Sequence, residues 1–156
     1  MKSYEFIEDR LVFSNESEVW NLLTNCNYLS EWMPFVARVE HLGKDSLSKG
    51  CILWVESILN DKEEHSLCYI TDIKSKQLIS FLSKQNGIEV YYTFQIKPKK
   101  NGLLSIIMKV NIKVAWYKSL VVRKRSVLRI VSYGWKQLDA LDDVITTRKL
   151  KSIEEI

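Results

Sequence analysis

Few of the residues that build metal sites, disulfide frameworks and turn-rich folds occur in this chain. Its 156 residues include two histidines, three cysteines, five glycines and two prolines. The cysteines, Cys26, Cys51 and Cys68, are odd in number and have no Cys-x-x-Cys spacing, which argues against a disulfide framework and a structural zinc site. We therefore expect three reduced thiols packed as small apolar side chains, and no bound metal.

Motifs for nucleotide, zinc-protease and serine-hydrolase chemistry are also absent. The chain contains no Gly-x-Gly-x-x-Gly, no P-loop, no His-Glu-x-x-His and no Gly-x-Ser-x-Gly, and each of these chemistries depends on that fixed spacing. No run of about 18 uncharged apolar residues occurs, and Glu5, Glu8 and Asp9 stand where a secretory signal needs an apolar stretch. We expect a cytoplasmic protein without a cofactor.

What the chain does contain is enough apolar sequence for one compact core. Hydrophobic residues make up 46% of the sequence, and a chain of this length is one domain by ordinary size statistics. We predict a single domain over residues 1–150, followed by a flexible tail at 151–156.

Charge is distributed unevenly along the chain. Residues 90–138 hold eleven Lys or Arg and no Asp or Glu, although the net charge of the whole chain is only +4. A segment of one sign raises a local potential that attracts anionic partners. We expect five residues around the start of the last helix to form a basic surface: Lys118, Arg123, Lys124, Arg125 and Arg129.

Three interpretations of this basic surface stay open. An anionic membrane surface is one partner, since each basic residue near charged lipid contributes about 1 kcal/mol. Nucleic acid is less well supported, because no nucleic-acid-binding motif accompanies the basic residues. The third interpretation is a solvated helix end that only aids solubility.

The region after the first strand predicts two short helices. Asn15 can cap the first helix, and Glu18 stands at its third position, which is the spacing of a capping box. This helix is expected to end near Asn25. The second helix must stop at Met33, because Pro34 restricts the residue before it and lacks the amide hydrogen that a helix needs.

The pattern then changes from helical to alternating. Strands are predicted over seven segments: 3–13, 35–42, 51–59, 65–73, 77–82, 88–97 and 103–116. Apolar residues alternate with polar ones in the last two, which is typical of an antiparallel sheet with one wet face. From about Tyr117 to Lys149 apolar residues recur every three or four positions, which predicts one long helix that covers the apolar face of the sheet.

Four features in this order belong to a known pattern. Val19-Trp20 stands near the start of a helix, Trp32-Met33-Pro34 ends the next helix, and a strand over 35–42 is followed by Gly50. The sequence thereby resembles the START-related, birch-pollen-allergen-like superfamily (SRPBCC), which includes polyketide cyclase/dehydrase-like proteins and lipid carriers. The resemblance implies an α+β helix-grip fold, in which a curved antiparallel sheet wraps around a long C-terminal α-helix and two short helices follow the first strand.

The resemblance also implies a cavity between the sheet and the long helix. We expect twelve residues to line it: Trp32, Phe35, Trp54, Tyr69, Phe81, Tyr92, Phe94, Met108, Val131, Gly134, Trp135 and Leu138. Glycine inside a helix costs roughly 1 kcal/mol relative to alanine, and room for a ligand at Gly134 would offset that cost. The alternatives are an ordinary packed aromatic core and close packing of the helix on a strand.

Such a cavity predicts the binding, transport or sequestration of a small hydrophobic molecule, namely a lipid, a polyketide-like aromatic or an isoprenoid. The alternative functions are an enzyme of the polyketide cyclase/dehydrase type and an interaction module that acts through the basic surface. For catalysis the sequence offers His65, which alternates with Leu67 and Tyr69 and is expected to point inward as a general base. A structural, hydrogen-bonded role competes with that interpretation. The identity of the ligand and the oligomeric state stay open.

Overall fold

The computed structural model describes residues 2–33, 36–43, 47–59, 61–85, 87–115, 117 and 120–154, and for residues 59, 85, 120–127, 131–135 and 152–154 it describes the backbone alone. Strands and helices follow in the predicted order. They are β1 (Lys2–Phe13), α1 (Glu16–Thr24), α2 (Cys26–Trp32), β2 (Val36–His41), β3 (Ile52–Leu59), β4 (Lys62–Lys74), β5 (Leu78–Gln85), β6 (Ile88–Pro98), β7 (Leu103–Val114) and α3 (Leu120–Glu154), with a turn of 3-10 helix at Lys100–Gly102.

The seven strands form one antiparallel sheet in the order β1-β7-β6-β5-β4-β3-β2. The register shifts between Val36 and Arg38 in β2 and between Ile70 and Asp72 in β4, and such bulges bend a sheet and increase its twist. α3 packs against β1, β7 and α2, so the curved sheet wraps around the long helix. This is the helix-grip fold that the resemblance implies.

Local sequence sets the limits of the two short helices as predicted. The Asn15 side chain accepts a hydrogen bond from the amide of Glu18 at 2.8 Å and caps α1. The Glu18 carboxylate accepts from the hydroxyl of Ser14 at 2.9 Å, which ties down the residue before the cap. Asn25 caps α2 by accepting from the amide of Asn27 at 3.0 Å, and α2 ends at Trp32, two residues before the proline.

Most strands differ from their predicted limits by one to three residues. β4 begins at Lys62 instead of residue 65, and β5 extends to Gln85 instead of residue 82. Both strands are longer than predicted because the hairpin pairing continues up to the turn. Lys62 pairs with Leu59, and Gln85 pairs with Ile88. Gly50 precedes β3 with φ of +92°, a conformation that favours glycine.

One end of the inner face of the sheet, which we call the closed end, is sealed. The inner positions there on β1, β7, β6 and β5 are Val12, Leu104, Ile96 and Ile79, none more than 4% exposed. α1 follows β1 at this end and contributes Val19, Leu22 and Leu23, which are all 0% exposed. Full burial of each such aliphatic side chain stabilises the fold by about 1.5–3 kcal/mol before the entropy of ordering is subtracted.

The C-terminal half of α3 is held against β1 by apolar and ionic contacts. Its apolar stripe, Leu138, Leu141 and Ile145, is at most 2% exposed. Arg10 of β1 contacts Asp139 and also Asp142, the latter at 3.2 Å. The two carboxylates raise the pKa of Arg10, with the hydrogen bond to Asp139 as the largest cause. Arg10 therefore stays charged and links strand to helix.

Two further cations on α3 contact other elements near the same end. Arg148 contacts Glu31 of α2 at 3.1 Å, and its guanidinium lies 4.3 Å from the ring centre of Tyr28. Lys149 lies 5.0 Å from the ring centre of Phe13, the last residue of β1. Contacts on both flanks thus fix the orientation of this half of the helix.

Candidate ligand-binding site

The inner face of the sheet is less tightly covered at its opposite end, which we call the open end. Several inner side chains of β1, β3, β4, β5 and β6 are only half-buried there: Tyr4, Phe6, Val55, Ser57, Ser66, Cys68, Ser83, Ile88 and Tyr92. On β7, in contrast, Ile112 and Val114 are 0% exposed. The accessible part of the inner face therefore lies mainly on β3 to β6 and on β1.

Strand pairing joins these half-buried positions into one surface. Val55 of β3 lies opposite Ser66 of β4, Cys68 lies opposite Ser83 of β5, and Ser83 lies opposite Val90 of β6, which is buried at 6% exposure. Residues directly opposite in an antiparallel pair have Cβ atoms about 5 Å apart. These five side chains are consequently neighbours on one concave wall.

α3 runs along the sheet from the open end to the closed end. β7 finishes at the open end, where Val114 pairs with both Lys2 and Ile88, and α3 begins at Leu120. Its other end reaches Phe13 at the closed end, where Lys149 lies. The N-terminal half of α3 therefore extends along the open end of the inner face.

Five of the predicted lining residues are packed into the hydrophobic core. Trp32, Phe81, Phe94, Met108 and Leu138 are each at most 1% exposed. The Phe94 ring meets those of Trp32 and Phe81 edge-on, with centroids 5.3 and 6.3 Å apart, a favoured aromatic geometry. The indole of Trp32 donates a hydrogen bond to the carbonyl of Leu22 at 2.8 Å, which fixes the ring. Tyr92, in contrast, is half-buried at the open end.

Trp54 and Tyr69 lie on the outer face of the sheet, so their predicted place in the cavity lining is corrected. Leu53 is the buried neighbour, with 1% exposure, and alternation along β3 then sends Trp54 outward. Ile52 is the other neighbour of Leu53 on β3 and therefore also faces outward. Tyr69 pairs with Ile52 and lies on the same face. Both aromatic side chains face away from α3.

His65 also lies on the outer face, and its predicted inward orientation is corrected for the same reason. Ser66 and Cys68 occupy the inner positions of this part of β4, and His65 is exposed. Its ring stacks on Trp54 with centroids 4.8 Å apart. From there the imidazole cannot reach a molecule held on the inner face.

Several predicted residues fall beyond what the structure describes. Phe35 and Lys118 lie outside the described residues, as do the side chains of Val131, Trp135, Arg123, Lys124 and Arg125. Gly134 belongs to α3, and Arg129 is exposed. The cavity and basic-surface roles of these residues stay predictions.

The thiol on the open wall is not activated. Burial raises the pKa of Cys68 to about 12, and burial is also the largest cause of a raised pKa at Cys26. A thiol nucleophile needs a lowered pKa, which basic neighbours or a helix N-terminus normally supply. Cys68 therefore acts as a small, neutral wall residue at physiological pH.

The described ranges lack two other kinds of feature. No three His, Cys, Asp or Glu side chains among these residues come together in a way that would hold a metal ion. No helix in the same part of the chain is both long and apolar enough to cross a membrane.

Comparison with known proteins rests on three-dimensional structure. Neither the models of protein families nor the curated proteins contain a match to this chain. Among solved structures, the ZhuI aromatase/cyclase from Streptomyces sp. R1128 superposes with a TM-score of 0.76 at 10% identity, covering 94% of this chain and 96% of that one. The structure of Ara h 8.0201 gives a TM-score of 0.72 at 13% identity and covers 94% of this chain and 99% of that one.

Two further structures extend the comparison. A norcoclaurine synthase from Thalictrum flavum superposes with a TM-score of 0.70 at 14% identity, over 95% of this chain and 97% of that one. A START superfamily protein from Mycobacterium smegmatis gives 0.67 at 10% identity, over 90% and 98%. Identities this low establish the fold and leave the activity open. The chain thus has the helix-grip fold shared by START-related and birch-pollen-allergen-like proteins, as its sequence resemblance implies.

Proposed function

We propose that this protein binds a small hydrophobic molecule between the open end of the sheet and the N-terminal half of α3, and that it carries or sequesters that molecule. A lipid, a polyketide-like aromatic or an isoprenoid is the class of ligand expected. The observation that carries the proposal is the difference in burial along a single face, where Ile79 is 0% exposed and Ser83, four residues further along β5, is half-buried.

Physical chemistry favours an apolar occupant for this space. Val55, Cys68, Ile88 and Tyr92 present mainly carbon and sulfur atoms to it, and an apolar ligand gains about 25 cal/mol for each Å² removed from water. The norcoclaurine synthase structure that contains dopamine and hydroxybenzaldehyde supports the proposal by analogy, since that protein holds small aromatic molecules on the same fold.

The proposal is tested with two neighbouring substitutions on opposite faces of β4. Cys68→Trp fills the open end from the inner face, whereas Leu67→Trp adds the same bulk on the outer face, where Leu67 is 40% exposed. Binding is measured by titration with the neutral apolar probe N-phenyl-1-naphthylamine, and circular dichroism checks that both variants fold.

We expect Cys68→Trp to weaken probe binding at least tenfold and Leu67→Trp to leave it unchanged. Native mass spectrometry of the purified protein, followed by solvent extraction, identifies any ligand that co-purifies. Equal binding by both variants, or no binding by the parent protein, would contradict the proposal.

The enzyme alternative would use an inward tyrosine as its acid or base, because His65 lies outside the pocket. Tyr4 and Tyr92 are both half-buried on the described inner face, and the catalytic one must lie within hydrogen-bond reach of the reacting atom. Tyr4→Phe and Tyr92→Phe each remove only a hydroxyl. A carrier keeps its affinity for apolar ligands in both variants, whereas an enzyme loses turnover of the molecule identified by extraction in one of them.

A further inference from the structure

The side chain of Gln137 in α3 carries a buried oxygen without a partner in the fold. In the described part of the chain, three buried side-chain oxygens make no hydrogen bond: Glu8 Oε2, Asn111 Oδ1 and Gln137 Oε1. Glu8 still forms an ion pair with Arg10 at 3.6 Å through its other oxygen, and the amide nitrogen of Asn111 donates to Glu5 at 3.3 Å. The side chain of Gln137 has no such second contact among the described residues.

Gln137 occupies an apolar position of the helix. Ile130 and Val144 stand seven residues before and after it, which is about two helical turns, and both pack against the hydrophobic core. Leu141, one turn after Gln137, is fully buried. The helical period therefore places an apolar side chain at this position. An amide oxygen buried there without a partner loses its hydration and gains no hydrogen bond in return, which costs free energy.

Contacts on the two flanks of α3 show where Gln137 points. Asp139 and Asp142 contact Arg10 of β1 on one flank, and Arg148 contacts α2 on the other. Gln137 lies on the flank of Arg148, because the eleven residues between them make three turns of an α-helix to within about 20°. Its side chain therefore faces away from β1, toward the concave interior of the sheet.

The level of Gln137 along α3 is the boundary between the two ends of the inner face. Asp139 and Asp142, which contact Arg10, follow it by two and five residues, so Gln137 lies about 3–8 Å from this contact toward the open end. There the firmly held half of α3 gives way to the half that extends along the open end. The amide thus stands at the inner limit of the proposed pocket.

The chemistry of this position favours a neutral hydrogen-bond donor. A carbonyl oxygen accepts hydrogen bonds and donates none, so its partner must bring an O–H or N–H group. An ether or a carboxylate cannot supply one. Val55, Cys68 and Ser83 on the concave wall are uncharged, so an ammonium group would leave water without an opposite charge on this wall, at a high cost. A hydroxyl donates at a smaller cost.

We propose that the ligand carries a neutral hydroxyl at its inner end and that this hydroxyl donates a hydrogen bond to Oε1 of Gln137. This inference rests on the proposed function, because the apolar body of the ligand lies over Cys68 and Tyr92 in the same pocket. Gln137 thereby orients the ligand and distinguishes an alcohol from an ether that has the same apolar chain.

Competition with the bound apolar probe N-phenyl-1-naphthylamine tests the inference. The competitors 1-dodecanol, dodecyl methyl ether and dodecylammonium share one chain and differ in the group at its end. We expect the parent protein to bind 1-dodecanol most tightly. Gln137→Met keeps the length of the side chain and removes the amide. It should weaken 1-dodecanol binding about three- to tenfold, the effect of losing one neutral hydrogen bond, while the ether and the probe stay within twofold.

A matched substitution and a stability measurement complete the experiment. Gln95 lies on the outer face of β6, between the buried inner residues Phe94 and Ile96, so Gln95→Met should leave all three competitors unchanged. Gln137→Met removes a buried polar atom that has no partner, so the ligand-free variant should unfold at a higher urea concentration than the parent. A structural role for the amide would shift the midpoint in the opposite direction.

The two proposals fail in different ways. If the probe binds the parent but Gln137→Met shifts 1-dodecanol and the ether equally, Gln137 is not an anchor and the pocket survives. A lower urea midpoint for ligand-free Gln137→Met would also overturn the inference. Tightest binding of dodecylammonium, lost in Glu8→Gln, would overturn it by assigning recognition to the carboxylate of β1. If neither the probe nor any competitor binds the parent, the pocket itself is wrong.

Discussion

The closed end and the open end belong to the same face of the same sheet, yet they are built from different side chains. On β6, Phe94 toward the closed end is 0% exposed and Tyr92, the next inner residue, is half-buried. On β5 the corresponding change is from Ile79 to Ser83. One face of a sheet can thus supply core stability at one end and access for a ligand at the other.

Size and polarity explain the division. Branched aliphatic and aromatic side chains at the closed end fill the volume beneath α1 and α2 at a density close to that of an organic crystal. The inner positions of β4 and β5 at the open end carry the small side chains Ser66, Cys68 and Ser83, which stay half-buried. The ionic contact of Arg10 with Asp139 and Asp142 fixes only the C-terminal half of α3.

The largest expected effect is on stability, and it separates the two ends directly. Phe94→Ala should lower the free energy of unfolding by about 3–5 kcal/mol, because it removes a buried ring and leaves a cavity against Trp32 and Phe81. Tyr92→Ala, two residues away on the same face, should cost clearly less. Urea denaturation followed by tryptophan fluorescence measures both, and equal losses would mean that the two ends are packed alike.

Alkaline pH gives a second test, through Cys68. Burial raises its folded pKa to about 12, above the ordinary thiol pKa of 9.0. Its contribution to stability is therefore complete below pH 9 and is lost as the pH rises from 9 toward 12, by at most about 1.4 kcal/mol per pH unit. Cys68→Ala should flatten this decline relative to the parent. A decline that Cys68→Ala shares with the parent would show that Cys68 does not cause it.

The ionic contact between β1 and α3 should contribute less to the free energy of unfolding. Arg10→Met removes the contacts with Asp139 and Asp142 but keeps most of the aliphatic stem, and Arg10 is about one third exposed, so we expect a loss of roughly 0.5–1 kcal/mol. The loss should shrink in 1 M NaCl, because salt screens exposed charges. A salt-independent loss would assign the effect to packing instead.

A single residue of the basic surface should change binding to a membrane. Arg129→Gln should weaken binding to vesicles of anionic lipid by about fivefold, which corresponds to roughly 1 kcal/mol per basic residue near the membrane. Lys74→Gln is the matched control, because Lys74 is an exposed lysine at the end of β4, distant in sequence from Arg129. Co-sedimentation at low and high salt measures both, and equal effects of the two variants would leave a solvated helix end as the better interpretation.

The sequence predicts most of the fold because local rules and tertiary structure agree there. Asn15 and Pro34 fix the ends of the two short helices, and strict alternation on β6 and β7 identifies their inner residues. β1 carries four charged residues in its middle, Glu5, Glu8, Asp9 and Arg10. Arg10 explains them in part, since it faces inward to contact the carboxylates of α3.

The candidate site could be predicted only in part, because β3 and β4 do not alternate clearly. Residues 52–55 are four apolar residues in succession, so the pattern cannot show which of Leu53 and Trp54 faces the core. Trp54 is predicted to line the cavity with the other aromatic residues, whereas the structure buries Leu53. Ser66 and Ser83 were missed because polar residues on a strand are normally assigned to the wet face. Only the strand register reveals that they face inward.

Hydrogen–deuterium exchange with and without 1-dodecanol tests the central claim most directly, since it reports on both ends of the inner face in one experiment. The account predicts slower exchange in the open-end segments of β4 and β5, around residues 66–68 and 82–84, and unchanged exchange in α1 at the closed end. Protection confined to other surfaces, or equal protection at both ends, would contradict it.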